Sequence, residues 1–218
     1  MVQKSEKRPR GRPRAYDPAV ALERAMEAFC DGGFSGTSLD DLSAGMGMNR
    51  PSLYAAFGDK QALYLKTLET YRARRRTQLA AALGAGRPLR EALRALYYRM
   101  IDIFLEGGRG ARGCYLVGTA ATEAVGNAQV REMLAGNLRE IDEVFRAAFS
   151  AAQGRGELGP QADPKALAMI ASAVVHTLAL RARAGQPRAI LKAVADSAVK
   201  LICSSDGAQR KSRGRAKD

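Results

Sequence analysis

Apolar residues recur along this chain at three- and four-residue intervals, the spacing that lines one face of a helix. Leu22, Ala25, Met26 and Phe29 form a first stripe, opened by Asp17-Pro18 as cap and first-turn proline and ended at Gly32-Gly33. Leu39, Leu42 and Met46 form a second behind Ser38, whose hydroxyl has Asp41 three residues on, and that helix is predicted to stop at Gly47. Asn49 caps a third from about Arg50 to Phe57, with Leu53 and Phe57 inward and Gly58 closing it. Asp59 then opens a fourth that passes Tyr71 and ends near Leu83, where Gly84, Gly86 and Pro88 break the chain.

Five more helices are predicted beyond that break. Leu89, Leu93, Leu96, Met100 and Phe104 give a clear amphipathic stripe. A helix is expected from about Cys114 to Val125, and another from about Ala128 to Ala152 with Val130, Leu134, Ile141, Phe145 and Phe149 on one side. Asp163-Pro164 opens the eighth, carrying Leu167, Ile170, Val174 and Leu178, and the ninth carries Ile190, Val194, Leu201 and Ile202. The last two are rich in alanine and aliphatics around much of their circumference. Breadth of that kind implies burial on more than one side, which a terminal helix pair obtains in a dimer. Leu167, Ile170, Val174, Leu178, Val194 and Leu201 are the expected interface residues. The fold class is all-α, with about nine helices: a basic arm over 1–15, a helix-turn-helix unit with its connecting helix over 16–83, a second helical domain over 88–203 and a basic tail over 204–218.

The second and third helices, joined by a glycine-containing turn, have the form of a helix-turn-helix whose second helix docks in a DNA major groove. Arg50, Ser52 and Tyr54 face outward near the start of that helix. The stretch resembles the DNA-binding domain of the TetR (tetracycline-repressor) family of bacterial regulators over roughly Tyr16 to Tyr71, in the runs AFCDGGFSGTSLDDLSAGMGM and NRPSLYAAFGDKQALY and the closing Tyr71. Beyond Tyr71 the likeness lies in helix number and spacing. The resemblance implies that Thr37, Tyr54 and Lys60 contact phosphates and that Arg50, Pro51 and Ser52, behind the cap Asn49, face base edges. Elementary chemistry agrees, since hydroxyls and a lysine position a protein on the backbone while an arginine forks onto guanine O6 and N7. Pro51 and Gly45 stand where family members often carry other small residues, so the base sequence read does not carry over. The resemblance further implies a cytoplasmic homodimer that represses transcription from a near-palindromic double-stranded operator and is released by a small-molecule effector.

Charge sharpens this picture through its distribution rather than its total of +13. Residues 1–15 carry a net +5 and residues 204–218 a net +3, leaving the middle only mildly basic. Basic tails suggest a polyanion partner, although a solubilising role suffices for the second. Within the first, Arg10-Gly11-Arg12-Pro13 resembles the core of an AT-hook, in which glycine lets an extended backbone sink into a narrow A·T minor groove. Arg10, Arg12 and Arg14 therefore join the expected DNA contacts. A purely architectural AT-hook protein leaves the fifth to seventh helices without a purpose. The arginines Arg72, Arg74, Arg75 and Arg76 of the fourth helix are read as a solvated face.

Other chemistries find little support. Cys30, Cys114 and Cys203 are odd in number, far apart and without a CxxC or a histidine nearby, so neither a disulfide framework nor a metal site is expected. The polar N-terminus does not read as a signal peptide, and no apolar run is expected to approach the length of a membrane span; a reducing cytoplasm follows. Residues 108–113 satisfy GxGxxG, but the preceding stretch continues a helical stripe where a dinucleotide fold needs a strand. His176 is the only histidine and has no nucleophile or carboxylate paired with it in the sequence, so no catalytic residue and no cofactor is expected. Tyr97, Phe104, Cys114, Tyr115, Phe145 and His176 lie on helices expected to surround one effector cavity, and Cys114 stands near Arg112 at a helix start, a setting that favours a reactive thiolate.

Overall fold

Helix caps divide the chain where the residue types demand. The computed structural model describes residues 16–84, 86–106 and 113–204, so both basic tails, with Arg10, Arg12 and Arg14, and nearly all of the GxGxxG run lie outside the described residues. Helix α1 (Pro18–Gly36) starts behind Asp17, whose carboxylate accepts from the Ala19 and Val20 amides. Gly33 interrupts it at φ 71°, a conformation that suits glycine, and one further turn runs to Gly36. Helix α2 (Leu39–Met46) begins with a reciprocal capping box between Ser38 and Asp41, and Gly47 ends it in the left-handed region. Asn49 accepts from the Ser52 amide to open α3 (Arg50–Phe57), and Asp59 caps the 24-residue α4 (Lys60–Leu83).

The remainder comprises α5 (Leu89–Leu105), a π-helical turn (Leu116–Ala120) leading into the short α6 (Ala121–Glu123), then α7 (Ala128–Gly154), α8 (Pro164–Arg183) and α9 (Arg188–Ile202). The helix expected from about Cys114 to Val125 is present from Tyr115 to Glu123, widened over Leu116–Ala120 by the π-helical turn. Helix α8 corrects the expectation about length, since its mean hydropathy of 1.3 over one stretch is enough, by length and composition alone, to cross a bilayer. Packing accounts for that content on one side, where Ala168, Ala171, Val175, Leu178 and Ala182 are buried against α5, α7 and α9.

Two apolar clusters organise the fold. In the body, Leu93, Tyr97, Met100 and Phe104 of α5 pack with Phe145 and Phe149 of α7, Leu178 of α8 and Leu191 of α9. In the head, Phe29, Leu42, Leu53, Leu63 and Tyr64 join α1 to α4, and the same cluster takes in Tyr115, Leu116, Ala120, Ala124 and Val130 from beyond α5. The junction is also polar. Thr67 donates to the Tyr64 carbonyl (2.6 Å), so the 2.7 Å contact between the Thr67 and Tyr115 hydroxyls is donated by Tyr115. Thr119 likewise donates to the Tyr115 carbonyl and accepts from the Tyr64 hydroxyl at 2.9 Å. Tyr71 completes the ladder by donating to Cys114 Sγ at 3.4 Å. Burial pushes the Tyr64 phenol up to about 12, and raises those of Tyr71 and Tyr115 as well, so all three remain donors throughout the physiological range.

The α4 arginines are a solvated face only in part: Arg74 and Arg76 are exposed, while Arg72 and Arg75 are half-buried. Arg72 forks onto Glu140 of α7 (2.6 and 2.8 Å) and holds that carboxyl below its usual range. Arg74 pairs with Glu23 of α1, and Arg75 stacks on the Tyr71 ring with 4.9 Å to its centroid. Helical spacing does not reveal the partners of Arg72 and Arg74, which come from other helices, whereas Tyr71 lies one turn before Arg75 on α4 itself.

Candidate nucleic-acid interface

The start of α3 carries the outward-facing residues. Arg50 and Pro51 are exposed, Ser52 is partly so, and Tyr54 is 47% exposed, while Leu53 and Phe57 anchor the opposite side in the head core. Asn49 fixes where the helix begins and so where its first side chains point. Lys60, the first residue of α4, holds its ammonium 4.5 Å from the centroid of the Phe34 ring of α1. Thr37 is corrected. It is buried, and its hydroxyl donates to the Gly33 carbonyl at 2.7 Å with the Ala28 carbonyl at 3.2 Å, so it closes the α1 kink rather than reaching outward to a phosphate.

Sequence reading missed Asp40. An acid in the first turn of α2 reads simply as a good match for the helix dipole, yet it receives Arg50 in a fork of Nε (3.0 Å) and Nη2 (2.7 Å). That pairing raises the affinity of the guanidinium for its proton. The residues lie ten apart, and the crossing of α2 and α3 brings them together.

The six residues expected to surround one effector cavity do not do so. Tyr97, Phe104 and Phe145 are packed solid in the body, with the Tyr97 hydroxyl donating to the Ala171 carbonyl, whereas Tyr115 belongs to the head cluster. Cys114 borders both clusters. A cleft of about 490 Å³ lies elsewhere, where the end of α4 and the start of α5 meet the C-terminal half of α7, lined by Ala80, Leu83, Leu89, Val144, Ala148 and Ala151 with Arg87 and Arg155. None of the six lines it.

His176 is half-buried with its Nε2 atom enclosed and without a hydrogen-bond partner, and Asp142 of α7 is close enough to act on its charge. Ser172 donates to Asp142 rather than to the imidazole, so the trio has no activated nucleophile. Burial outweighs Asp142 and lowers the histidine below its ordinary 6.5. As pH falls below 6.5, the unfolded chain takes up a proton that the folded chain refuses, and stability is lost. Thermal unfolding followed from about pH 7.5 to about pH 5.5 should show a steeper loss in the wild type than in His176→Gln; equal slopes would acquit the histidine.

Among the expected dimer residues, Ile170 and Leu201 are exposed at 53% and 74%, and Leu167, Val174 and Val194 are half-buried. Leu178 is fully buried inside the protomer, so it cannot also meet a second copy.

A helix-turn-helix head, presenting a capped arginine-bearing helix and joined by one long helix to a helical body, defines a DNA-binding transcriptional regulator. Comparison with known proteins agrees over both parts. Residues 21–67 match the family described as "Bacterial regulatory proteins, tetR family", and residues 88–197 match "Tetracyclin repressor-like, C-terminal domain". The chain belongs to the TetR family. It is 27% identical over 195 residues to the HTH-type transcriptional repressor ComR of Escherichia coli, covering 89% of this chain and 93% of that protein. It is 34% identical over 117 residues to the repressor BdcR of the same organism, covering 54% and 59%. A cysteine mutant of the TetR family regulator CifR, solved with a 26 bp double-strand operator DNA, superposes with a TM-score of 0.75 at 32% identity, covering 87% of this chain and 98% of that one.

Proposed function

We propose that this regulator is a repressor that binds a near-palindromic operator as a homodimer and leaves it when a small molecule occupies the body. The observation that carries the DNA reading is the exposed start of α3, with Arg50, Pro51, Ser52 and Tyr54 set outward by the Asn49 cap and Lys60 opening the next helix. Arg50 and Ser52 face bases, and Tyr54 and Lys60 hold phosphates. The head spans residues 16–83, and the body over 88–203 carries effector binding and dimerisation.

Dimerisation rests on an exposed apolar face. Ile170, Ala173 and Leu180 line the outer side of α8, and Ile190 and Ala193 that of α9. Two adjacent helices with one such face each make the self-complementary patch of a two-fold interface. The two-fold sets two α3 helices into successive major grooves about 34 Å apart, or a multiple of that. Effector release has its best candidate seat in the cleft at the α4–α5 corner, because a molecule there would bear on α4, the helix that reaches the head. Acting on DNA, the protein works in the cytoplasm as a regulator rather than as an enzyme.

Sequencing the DNA that the full-length protein retains from its own genome tests the reading. An inverted repeat is expected, and random fragments retained without a common motif would overturn it. Deleting residues 1–14 should weaken operator binding and flatten its salt dependence, because the deletion removes several arginines that displace counterions. Greater loss on operators with A·T flanks than with G·C flanks is the expected mark of the Arg10–Arg12 segment in the minor groove. Equal loss reduces the arm to electrostatics.

A further inference from the structure

The fork between Arg50 and Asp40 bears on how a base is read. A guanidinium has two edges that can present a pair of parallel N–H groups: the side edge, formed by Nε–H and one Nη–H, and the end edge, formed by the two Nη nitrogens. Asp40 occupies the side edge, with Nε to Oδ1 at 3.0 Å and Nη2 to Oδ1 and Oδ2 at 2.7 Å each. Nη1 has no hydrogen-bond partner among the described residues, so the end edge, which Nη1 forms with the second N–H of Nη2, is open to a ligand. That is the edge which fits guanine O6 and N7 together.

Both side chains are solvent-facing, with 53% of Arg50 and 76% of Asp40 exposed. The pair therefore contributes little to the stability of the head, since an exposed ion pair is worth almost nothing in water. A carboxylate on the face turned to DNA also repels every phosphate it nears, whatever the sequence. The helix dipole favours an acid in the first turn of α2, but neither that nor general affinity accounts for its fork onto Arg50. Restriction of the arginine does: a free guanidinium on a long stem samples many rotamers and can slip to a phosphate, whereas a held one loses less on meeting its base.

We propose that Asp40 is a positioning residue for base readout, holding the Arg50 guanidinium by its side edge so that its end edge meets guanine. The proposal rests on the reading of α3 as the base-contacting helix and assigns it a second-helix partner. Its consequence is a trade of affinity for selectivity. Asp40 lowers binding to all duplexes a little and widens the gap between guanine and the other bases at one position in each half-site.

The test uses the full-length protein with Asp40→Asn and Arg50→Ala, selecting from operators randomised at the half-site and titrating a non-operator duplex alongside. Asp40→Asn keeps the size of the side chain and is expected to lower the guanine preference at that position about tenfold, as one weakened bidentate contact should. Binding to the non-operator duplex should hold or rise, with a steeper salt dependence, because a negative charge per protomer is gone. Arg50→Ala should erase the same preference. If Arg50→Ala erases it and Asp40→Asn leaves it intact, the positioning role falls and the reading of α3 stands. If Arg50→Ala changes nothing, that reading itself falls, and the proposal with it. Equal weakening of all duplexes by Asp40→Asn would make Asp40 a structural residue of α2, and a stronger guanine preference would make it a competitor; either result overturns the proposal.

Discussion

Arg50→Ala protein is expected to bind its operator more weakly by about 1–3 kcal/mol for each bidentate pairing with a base that it removes, and to accept any base at the position it reads. The dimer presents the residue twice, and well-separated positions add roughly, so the combined effect should approach twice the single value. The basis is local. Arg50 occupies the first position of α3, and the Asn49 cap and the buried Leu53 leave the helix no freedom to roll it out of the groove. Lys60→Ala supplies the contrast, since removing a phosphate-binding cation should weaken all duplexes alike and lower the salt slope without changing the preferred sequence. Competition binding against single-base variants of the operator separates the two patterns. Normal discrimination by Arg50→Ala would remove it from the reading helix.

A larger effect is expected from Ile170→Glu. The residue is 53% exposed on the outer side of α8, so a carboxylate there meets only water in the isolated protomer and leaves the fold unharmed. In a two-fold interface it meets its own copy or the facing α9, and a charge buried without a partner is strongly unfavourable. The dimer should dissociate at concentrations where the wild type stays paired. Loss of the tethered second head should then cost about 10²–10⁴-fold in operator affinity, the usual gain from linking two sites. Sedimentation and operator binding measured on the same sample check both halves of the prediction. A dimer that persists with full affinity would place the interface on another face.

What can be read in the sequence follows from the range of each interaction. Caps act over two or three residues, so Asp17-Pro18, Ser38 with Asp41, Asn49, Asp59 and Asp163-Pro164 mark five helix starts through residue type and spacing alone. The outward turn of α3 is legible for the same reason. Contacts between helices are not: Asp40 with Arg50, Arg72 with Glu140 and Tyr64 with Thr119 depend on crossing geometry that no local pattern encodes. The expected effector cluster fails differently. Large aromatics look alike in sequence whether they line a cavity or fill it, and Tyr97, Phe104 and Phe145 fill theirs. Helix α8 is apolar on nearly every side, so periodicity does not separate Leu178, which faces the protomer core, from Ile170, which faces out. Thr37 sits beside a kink at Gly33 that turns its hydroxyl inward.

The ladder of hydroxyls between α4 and the π-helical turn bears on how such regulators can be recombined. The glycines at 84 and 86 invite a cut there to graft this head onto another body, as one would to give a biosensor a new promoter. Such a cut would separate Tyr64, Thr67 and Tyr71 from Thr119, Tyr115 and Cys114 and would bare the apolar surface that Leu116, Ala120 and Val130 now cover. A working hybrid must therefore inherit two stretches of chain, the head through α4 and the segment from about residue 113 to residue 130, with the intervening α5 drawn from either parent. The unit that can be exchanged is discontinuous in sequence, although it is a single piece in space.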